Sequence, residues 1–288
     1  MNLRSIRHGG VVTICLLLTL SAAAQDYKTN PRDLVRRAIV NENRQEPNKQ
    51  YFMFREIKRT KTGSVETREM VQTPEAMLAR LVAIDGKPLT DEQRQKEDAR
   101  LNRLVNQPDE LVKKKKEQKE DDDRVRKMVA AIPDAFNFEY VGTEKGPSGD
   151  EVVLKFTPND NWDPPNRELQ VFTGMSGTAK IAVPQDRLVV MQAKLFRSVD
   201  FGWGILGRLD QGGEFLIEQS QVYGNHWDLT HMRLHFTGKI LLFKTLNIQE
   251  DETTSEYRPV PGMTVAQALD RLKQADNEFA KTANGGGD

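Results

Sequence analysis

Apolar and polar positions change period several times along this chain, and each change marks an element. Leu34, Val35, Ala38 and Ile39 recur at helical spacing behind Asn30-Pro31-Arg32-Asp33. That tetrapeptide supplies a cap, a first-turn proline and an early acid, so a short amphipathic helix is expected, ending before Pro47. From Tyr51 the pattern turns to β: Tyr51 to Thr60, Ser64 to Gln72 and Met77 to Ile84 read as two or three antiparallel strands, joined by Lys61-Thr62-Gly63 and Thr73-Pro74.

Between Thr90 and Ile132 charged residues dominate, and apolar ones recur only as Leu101, Leu104, Val105, then Leu111, Val112, then Val125, Met128, Val129. These spacings are helical. Thr90-Asp91-Glu92-Gln93 is a capping-box pattern, in which the threonine hydroxyl and the glutamine side chain satisfy free backbone N–H groups. Pro108 divides the segment into two helices. Lys113 to Lys116 and Asp121 to Asp123 form adjacent blocks of opposite sign, which read as a solvated face paired at three- and four-residue spacing. The other reading is a docking surface for an envelope partner or anionic headgroups.

From Phe136 the alternation is strict. Phe136, Phe138 and Tyr140 alternate with Asn137 and Glu139, and Val152, Leu154 and Phe156 with Val153, Lys155 and Thr157. Further strands are expected at Leu169 to Thr173, Thr178 to Val183, Leu188 to Phe196, Phe215 to Tyr223, Trp227 to Phe236 and Ile240 to Ile248. Turn signals separate them, including Pro184-Gln185-Asp186, Gly212-Gly213, Gly224-Asn225 and Gly238-Lys239. Strands joined by short turns without helices between them make an antiparallel meander. The fold class is therefore α+β: one large, curved antiparallel sheet with packed helices and a charged helical insertion at 90–132. Thr264-Val265-Ala266-Gln267 repeats the capping-box pattern and starts a last helix with Val265, Ala268, Leu269, Leu272, Ala275 and Phe279 on one face. The glycine-rich tail, 282–288, is expected to be disordered.

The start of the chain fixes a compartment. Arg4, Arg7 and His8 precede a ten-residue apolar run, Val11 to Leu20, which ends in Ser21-Ala22-Ala23-Ala24. Crossing a bilayer takes about 20 apolar residues. The segment therefore reads as a secretory signal, residues 1–24, cleaved after Ala24, and the mature chain as a periplasmic single domain, 25–281. Gln25 rather than cysteine would be its first residue, and the only cysteine, Cys15, lies within the signal. The mature chain then has no disulfide, thiol nucleophile or thiolate metal site. Lys plus Arg equal Asp plus Glu, 42 each. Loss of Arg4 and Arg7 leaves a slight acidic excess, which argues against nucleic acid as a partner.

Candidate chemistry is sparse. His226, His231 and His235 invite a metal site, but strand alternation places Arg233 between His231 and His235 on one face, and no matching acid is evident, so solvent-side histidines are expected. Gly202-Trp203-Gly204-Ile205-Leu206-Gly207 matches the dinucleotide fingerprint in letters only, since strands flank it. It reads as a glycine-rich connection, or as an apolar loop at the mouth of a cavity. Asn159 to Pro165 spaces oxygens as a calcium loop does, without the glycine and distal glutamate, and reads as a polar turn. Ser176 lacks a nucleophile elbow. No cofactor or metal is implied, and no catalytic set.

At Gly177-Thr178-Ala179-Lys180-Ile181-Ala182-Val183-Pro184-Gln185-Asp186-Arg187-Leu188-Val189-Val190 the chain resembles secreted bacterial proteins of the LolA-like, outer-membrane lipoprotein-sorting superfamily, with a strand, a Pro/Asp turn and a returning strand. The closing meander, Leu241-Leu242-Phe243-Lys244-Thr245 through Ser255-Glu256-Tyr257-Arg258, is similar too. The resemblance spans Tyr51 to Arg258. It implies an incomplete antiparallel barrel wrapped around helices, with an apolar concave face that accepts acyl chains. The charged insertion is its departure from the simple carriers.

Together these readings point to a non-enzymatic carrier for a lipid or acyl chain, or for a lipoprotein, with transient contact at a membrane surface. Its expected lining is Phe138, Leu154, Phe156, Ile181, Met232, Leu234 and Phe236, with Trp203 near the mouth; ordinary core is the alternative for each. The competing function is an envelope scaffold with a solid core and partner recognition by the charged helices. Whether the core holds a cavity separates the two.

Overall fold

The computed structural model describes residues 26–42, 50–183, 185–201, 206–240 and 244–285. The expected signal and its cleavage point lie outside these. A short helix α1 (Asp26–Thr29) leads into α2 (Pro31–Glu42), which buries Leu34, Val35, Ala38 and Ile39 as their spacing requires. Strands β1 (Tyr51–Arg59), β2 (Val65–Gln72) and β3 (Met77–Ile84) follow, with a two-residue β4 (Lys87–Pro88). Helices α3 (Asp91–Asn106) and α4 (Pro108–Ala135) form the charged insertion. Thr90 caps α3 with both bonds of the capping box, and Pro108 opens α4. Next come β5 (Phe136–Gly146), β6 (Gly149–Pro158), a 3-10 turn η1 (Glu168–Gly174), β7 (Met175–Val183) and β8 (Arg187–Leu195). The chain finishes with the short β9 (Val199–Phe201) and β10 (Gly207–Leu209), the long β11 (Glu214–Tyr223), β12 (His226–Ile240) and β13 (Lys244–Val260), and helix α5 (Val265–Gly285).

Thirteen strands form one antiparallel sheet, ordered β4-β3-β2-β1-β13-β12-β11-β8-β7-β6-β5, with β10 on β12 and β9 on β10. The sheet is open: β4 and β5 end the path. Its curvature follows from α4. Gln118 of this helix bonds Met77 in β3, and 18 residues later the helix runs into β5 at Phe136. At 1.5 Å per residue that chord is about 27 Å. Nine strand spacings of about 4.8 Å separate β3 from β5 along the sheet, roughly 43 Å. The sheet must curl for one helix to touch both sides, so α4 spans the open seam of an incomplete barrel.

Helices cover opposite faces at the two ends. At the C-terminal end of the path α2, the last turns of α4 and η1 pack on Val152, Leu154, Phe156, Ile181, Met191 and Leu195. At the other end α3 and α5 pack on Met53, Val71 and Leu78, the face opposite Phe52 and Phe54. Within this second core Arg80, 2 % exposed, donates from Nε and Nη2 to Asp276 Oδ2 at 3.0 and 2.8 Å and from Nη1 to Asp98 at 2.7 Å, tying β3 to α5 and α3. Nearby Glu69 receives Arg55 and Arg258 on its two oxygens.

Three expectations are corrected. Leu169 to Thr173 is not a strand but η1; Asn166 Oδ1 accepts from Leu169 N, and the tight turn lets Leu169 and Phe172 face the core together. Gly238-Lys239 is not a turn, since β12 continues to Ile240; Gly238 lies under β10, where a Cβ would stand 2.0 Å from the Arg208 carbonyl oxygen. The tail is helical as far as Gly285, with the Thr282 hydroxyl donating to Glu278 O; residues 286–288 are outside the described set. The charge blocks of α4 do pair along the helix, as Lys113–Glu117, Lys116–Glu120, Arg124–Asp121 and Arg126–Asp123.

Asp276 is 1 % exposed, and its removal leaves Nε and Nη2 of a buried guanidinium unpaired, with only Asp98 still bonded at Nη1. Asp276→Ala is expected to cost about 3–5 kcal/mol, and Arg80→Met/Asp276→Leu to recover most of it. Urea unfolding followed by circular dichroism checks both values.

Candidate binding face

Seven of the eight expected lining residues fall on one face of the sheet. Residues paired across antiparallel strands share a face, so register settles the matter. One row runs Tyr140, Leu154, Ala179, Met191, Ile217, Met232 over six strands. The next runs Phe138, Phe156, Gly177, Ala193, Phe215, Leu234. Ile181 and Phe236 belong to the same buried cluster. Trp203 lies outside the described residues.

This face is filled where α2 lies on it. Leu154, Phe156, Ile181 and Phe236 are buried, while Phe138 and Leu234 pack half-buried against them. A cavity of ≈ 10 Å³ remains among Val35, Ile39, Ile132, Phe138, Ile181 and Met191. That is about the space of one water. Aromatic contacts tighten the packing: Phe136 meets Phe156 edge-on at 4.8 Å and Phe172 at 5.2 Å. Beyond α2 the apolar rows emerge, and Ile217, Met232 and Leu234 are half-exposed.

Charge ends the apolar rows at β13. Met232 pairs with Glu252 and Leu234 with Glu250, then Glu252 with Lys58 on β1 and Lys58 with Glu66 on β2. Lys58 Nζ lies 3.2 Å from Glu252 and 4.0 Å from Glu250, and Arg68 lies 3.2 Å from Glu56. Glu56 is 7 % exposed. Burial, and then the Glu252 carboxylate beside it, raise the Glu56 carboxyl above its ordinary range, against the pull of Arg68 and Lys58. Sequence reasoning missed this belt because its members come from β1, β2 and β13, far apart in the chain. The alternation Glu250, Glu252, Thr254 on β13 was its only local signal.

The remaining candidates are placed as follows. His231 and Arg233 do share the opposite face, but His231 is not simply solvent-side: Glu218 of β11 lies 3.2 Å from Nδ1 and Asp251 of β13 lies 2.9 Å from Nε2. The acids beside His231 come from the neighbouring strands, while Asp228 of its own segment lies 3.4 Å from His226. Among the described residues no group of three or more His, Cys, Asp or Glu is arranged to hold a metal. Residues 202–205 of the glycine fingerprint are outside the described set; Phe201 of β9 before them pairs with Gly207 of β10 after them, and strands rather than a helix follow. Asn159 and Asn161 form a turn, with Asn159 donating to Asp134 O at 2.9 Å and accepting from Asn161 N at 3.2 Å. Two larger recesses, ≈ 360 and ≈ 400 Å³, have mixed walls, the first with Pro164, Gln170, Thr173 and Arg197, the second with Thr178, Gln192, Ala193, Phe215 and Leu216.

No protein-family model matches the chain, and no curated protein matches it. Among solved structures it is similar to a domain provisionally named as an outer membrane lipoprotein-sorting protein, from Vibrio parahaemolyticus, at 11% identity over 83% of this chain and 97% of that one, with a TM-score of 0.28. It is also similar to a DUF1329 family protein from Desulfovibrio piger, at 10% identity over 83% of this chain and 95% of that one, again with a TM-score of 0.28. The first bears the description of the superfamily that the sequence resembles. Function is therefore argued from this chain's own geometry. No described helix is long and apolar enough to cross a membrane.

The belt has a pH signature. A carboxyl raised on folding contributes stability that is fully present below its unfolded value and is lost as pH rises through its folded value. Glu56→Gln is therefore expected to raise Tm near pH 7 and to change it little at pH 4. Glu97 behaves oppositely: burial alone would raise it, but Arg100 and the Leu81 N–H hold it below its ordinary range. Glu97→Gln should lower Tm near neutrality and lose its effect in acid, as thermal melts across pH will show.

Proposed function

We propose that the chain is a periplasmic, non-enzymatic carrier for a lipid or acylated protein, in which an acyl chain takes the place of α2 on the apolar face. The observation that carries this reading is the apolar row that runs over six strands, which α2, with the last turns of α4 and η1, covers at the β5 to β8 end and which is half-exposed at β11 and β12. The row offers continuous contact to an extended hydrocarbon, and α2 is the removable part of its cover. The resemblance at Gly177 to Val190 supports the cargo class, and the secretory signal read at 1–24 supports the compartment.

Magnitudes permit the exchange. Helix α2 buries Leu34, Val35, Ala38 and Ile39, worth about 6 kcal/mol together. Its polar anchors include the ion pairs Arg36–Asp134 at 3.1 Å, Arg37–Asp186 at 2.8 Å and the less exposed Arg187–Glu42 at 3.7 Å, with Arg32 donating to Phe136 O at 3.3 Å, Asn41 to Asp186 O at 3.1 Å and Arg187 to Asn41 O at 3.1 Å. The first two ion pairs are the more exposed, and such pairs add about 0–1 kcal/mol each. An acyl chain burying about 14 methylenes at about 0.8 kcal/mol each gains roughly 11 kcal/mol. Cargo can therefore displace the helix, and the helix can fill the face when cargo leaves.

The ≈ 10 Å³ cavity favours the second reading, a scaffold with a solid core. The two part on whether α2 moves. A thiol cross-linker joining Arg37→Cys to Asp186→Cys holds α2 down, and the carrier reading expects it to reduce fluorescent fatty-acid binding at least tenfold, with binding restored when the linker is cleaved. Equal binding by the linked and free forms, or no binding by either, overturns it. Native mass spectrometry of the protein from its own periplasm then identifies the cargo class.

A further inference from the structure

The charged insertion has a second task at the sheet edge. Strand β3 lies next to the end of the sheet, and β4 pairs only with its Ala83 and Ile84, leaving Met77 to Val82 without a neighbouring strand. An open edge of this kind pairs readily with another chain. Apart from a register shift at Val82, near its end, the strand carries none of the usual guards. Met77-Leu78-Ala79-Arg80-Leu81-Val82 has no lysine and no proline, and its one charge, Arg80, turns to Asp276 and Asp98.

Side chains from the insertion occupy the edge instead. Backbone groups of alternate residues, Met77, Ala79 and Leu81, point away from β2. Gln118 of α4 accepts from Met77 N at 3.2 Å and donates to Met77 O at 3.0 Å. Arg100 of α3 donates to Ala79 O at 2.6 Å. Glu97, one turn earlier, accepts from Leu81 N at 2.9 Å. Arg100 and Glu97 are locked to each other by two bonds of 2.7 and 2.6 Å. A glutamine carboxamide carries the donor and acceptor of a peptide unit, so its two bonds to Met77 repeat what a neighbouring strand residue would make. Three residues from two helices thus substitute for a strand.

We propose that the α3–α4 arm is an edge lock, which keeps β3 from pairing with β3 of a second copy. An identical strand is the natural occupant because a two-fold axis through Ala79 sets Met77 opposite Leu81 in an antiparallel pair, with the same groups used on both sides. This accounts for an insertion whose exposed charges on α4 mostly pair with one another. It is independent of the carrier reading.

The test is Glu97→Ala/Arg100→Ala/Gln118→Ala in the full chain, read by native mass spectrometry and light scattering over a concentration series. A doubled mass is expected, along with return to the single mass on adding Ala79→Pro, because proline at this outward position has no N–H for a partner. A triple variant that keeps its circular dichroism spectrum and its single mass overturns the proposal, as does a parent chain already cross-linked through β3. Should the triple variant not fold, Gln118→Ala alone decides. Exchange of the Met77 amide hydrogen is expected to become roughly five- to tenfold faster, and unchanged exchange overturns the proposal.

Discussion

The pairing of β13 with β1 is the interaction on which the rest of the molecule depends. Tyr51 pairs with Val260 and Arg59 with Asp251, some two hundred residues apart. Without this ladder there would be a small four-stranded sheet and a larger meander; with it there is one sheet and one set of two faces. Because side chains alternate strictly along a strand, the register at β13 decides which residues of the N-terminal strands face α2's side. It sets Lys58 and Glu56 in line with Met232 and Met53 against α5. A register slip of one residue would turn Glu56 toward α5 and Met53 toward the belt.

Polarity along the α2 face follows from that register. Along the rows through Met232 and Leu234 the face is apolar as far as β12 and charged at β13, with a separate apolar cluster of Phe52, Phe54, Met70 and Tyr257 farther along the same side, so a chain held in those rows meets hydrocarbon at one end and carboxylates at the other. Burying Glu56 and Glu252 side by side is costly, and Arg68 and Lys58 offset that cost only in part. The belt therefore marks where the apolar face ends more than it strengthens the fold. Where the face is apolar, α2 fills it; the stability of that contact and the capacity to bind hydrocarbon draw on the same surface.

Curvature and edge protection are managed by one element. As the chord from β3 to β5, α4 limits how far the curled sheet can open, and with α3 it satisfies the backbone groups that curling leaves unpaired. The ion pairs along its exposed side contribute little to stability, as surface pairs do. Its contribution comes from its two ends: Gln118 at the β3 edge, and Ile132 and Ala135 in the core beneath α2.

Local pattern alone determined a great deal here. Alternation at Phe136 to Tyr140 and Val152 to Phe156 identified the strands and their apolar face, helical spacing located α2 and α5, and the boxes at Thr90 and Thr264 marked helix starts to the residue. These are properties of a few consecutive residues. It also set Leu154, Phe156, Met232 and Leu234 as candidates for one surface, and the strand register puts these four side chains on the same face of the sheet. What it left open was set by distant partners. Leu169 to Phe172 reads as a strand by composition and folds as a turn because the core beneath needs both side chains at once. The acids beside His231, the belt around Glu56 and the strand-like role of Gln118 each join residues from separate elements, so no window of sequence contains them. Whether the apolar face stood empty was likewise a tertiary question: alternation says which side chains turn inward, and only the packing of α2 says what they meet.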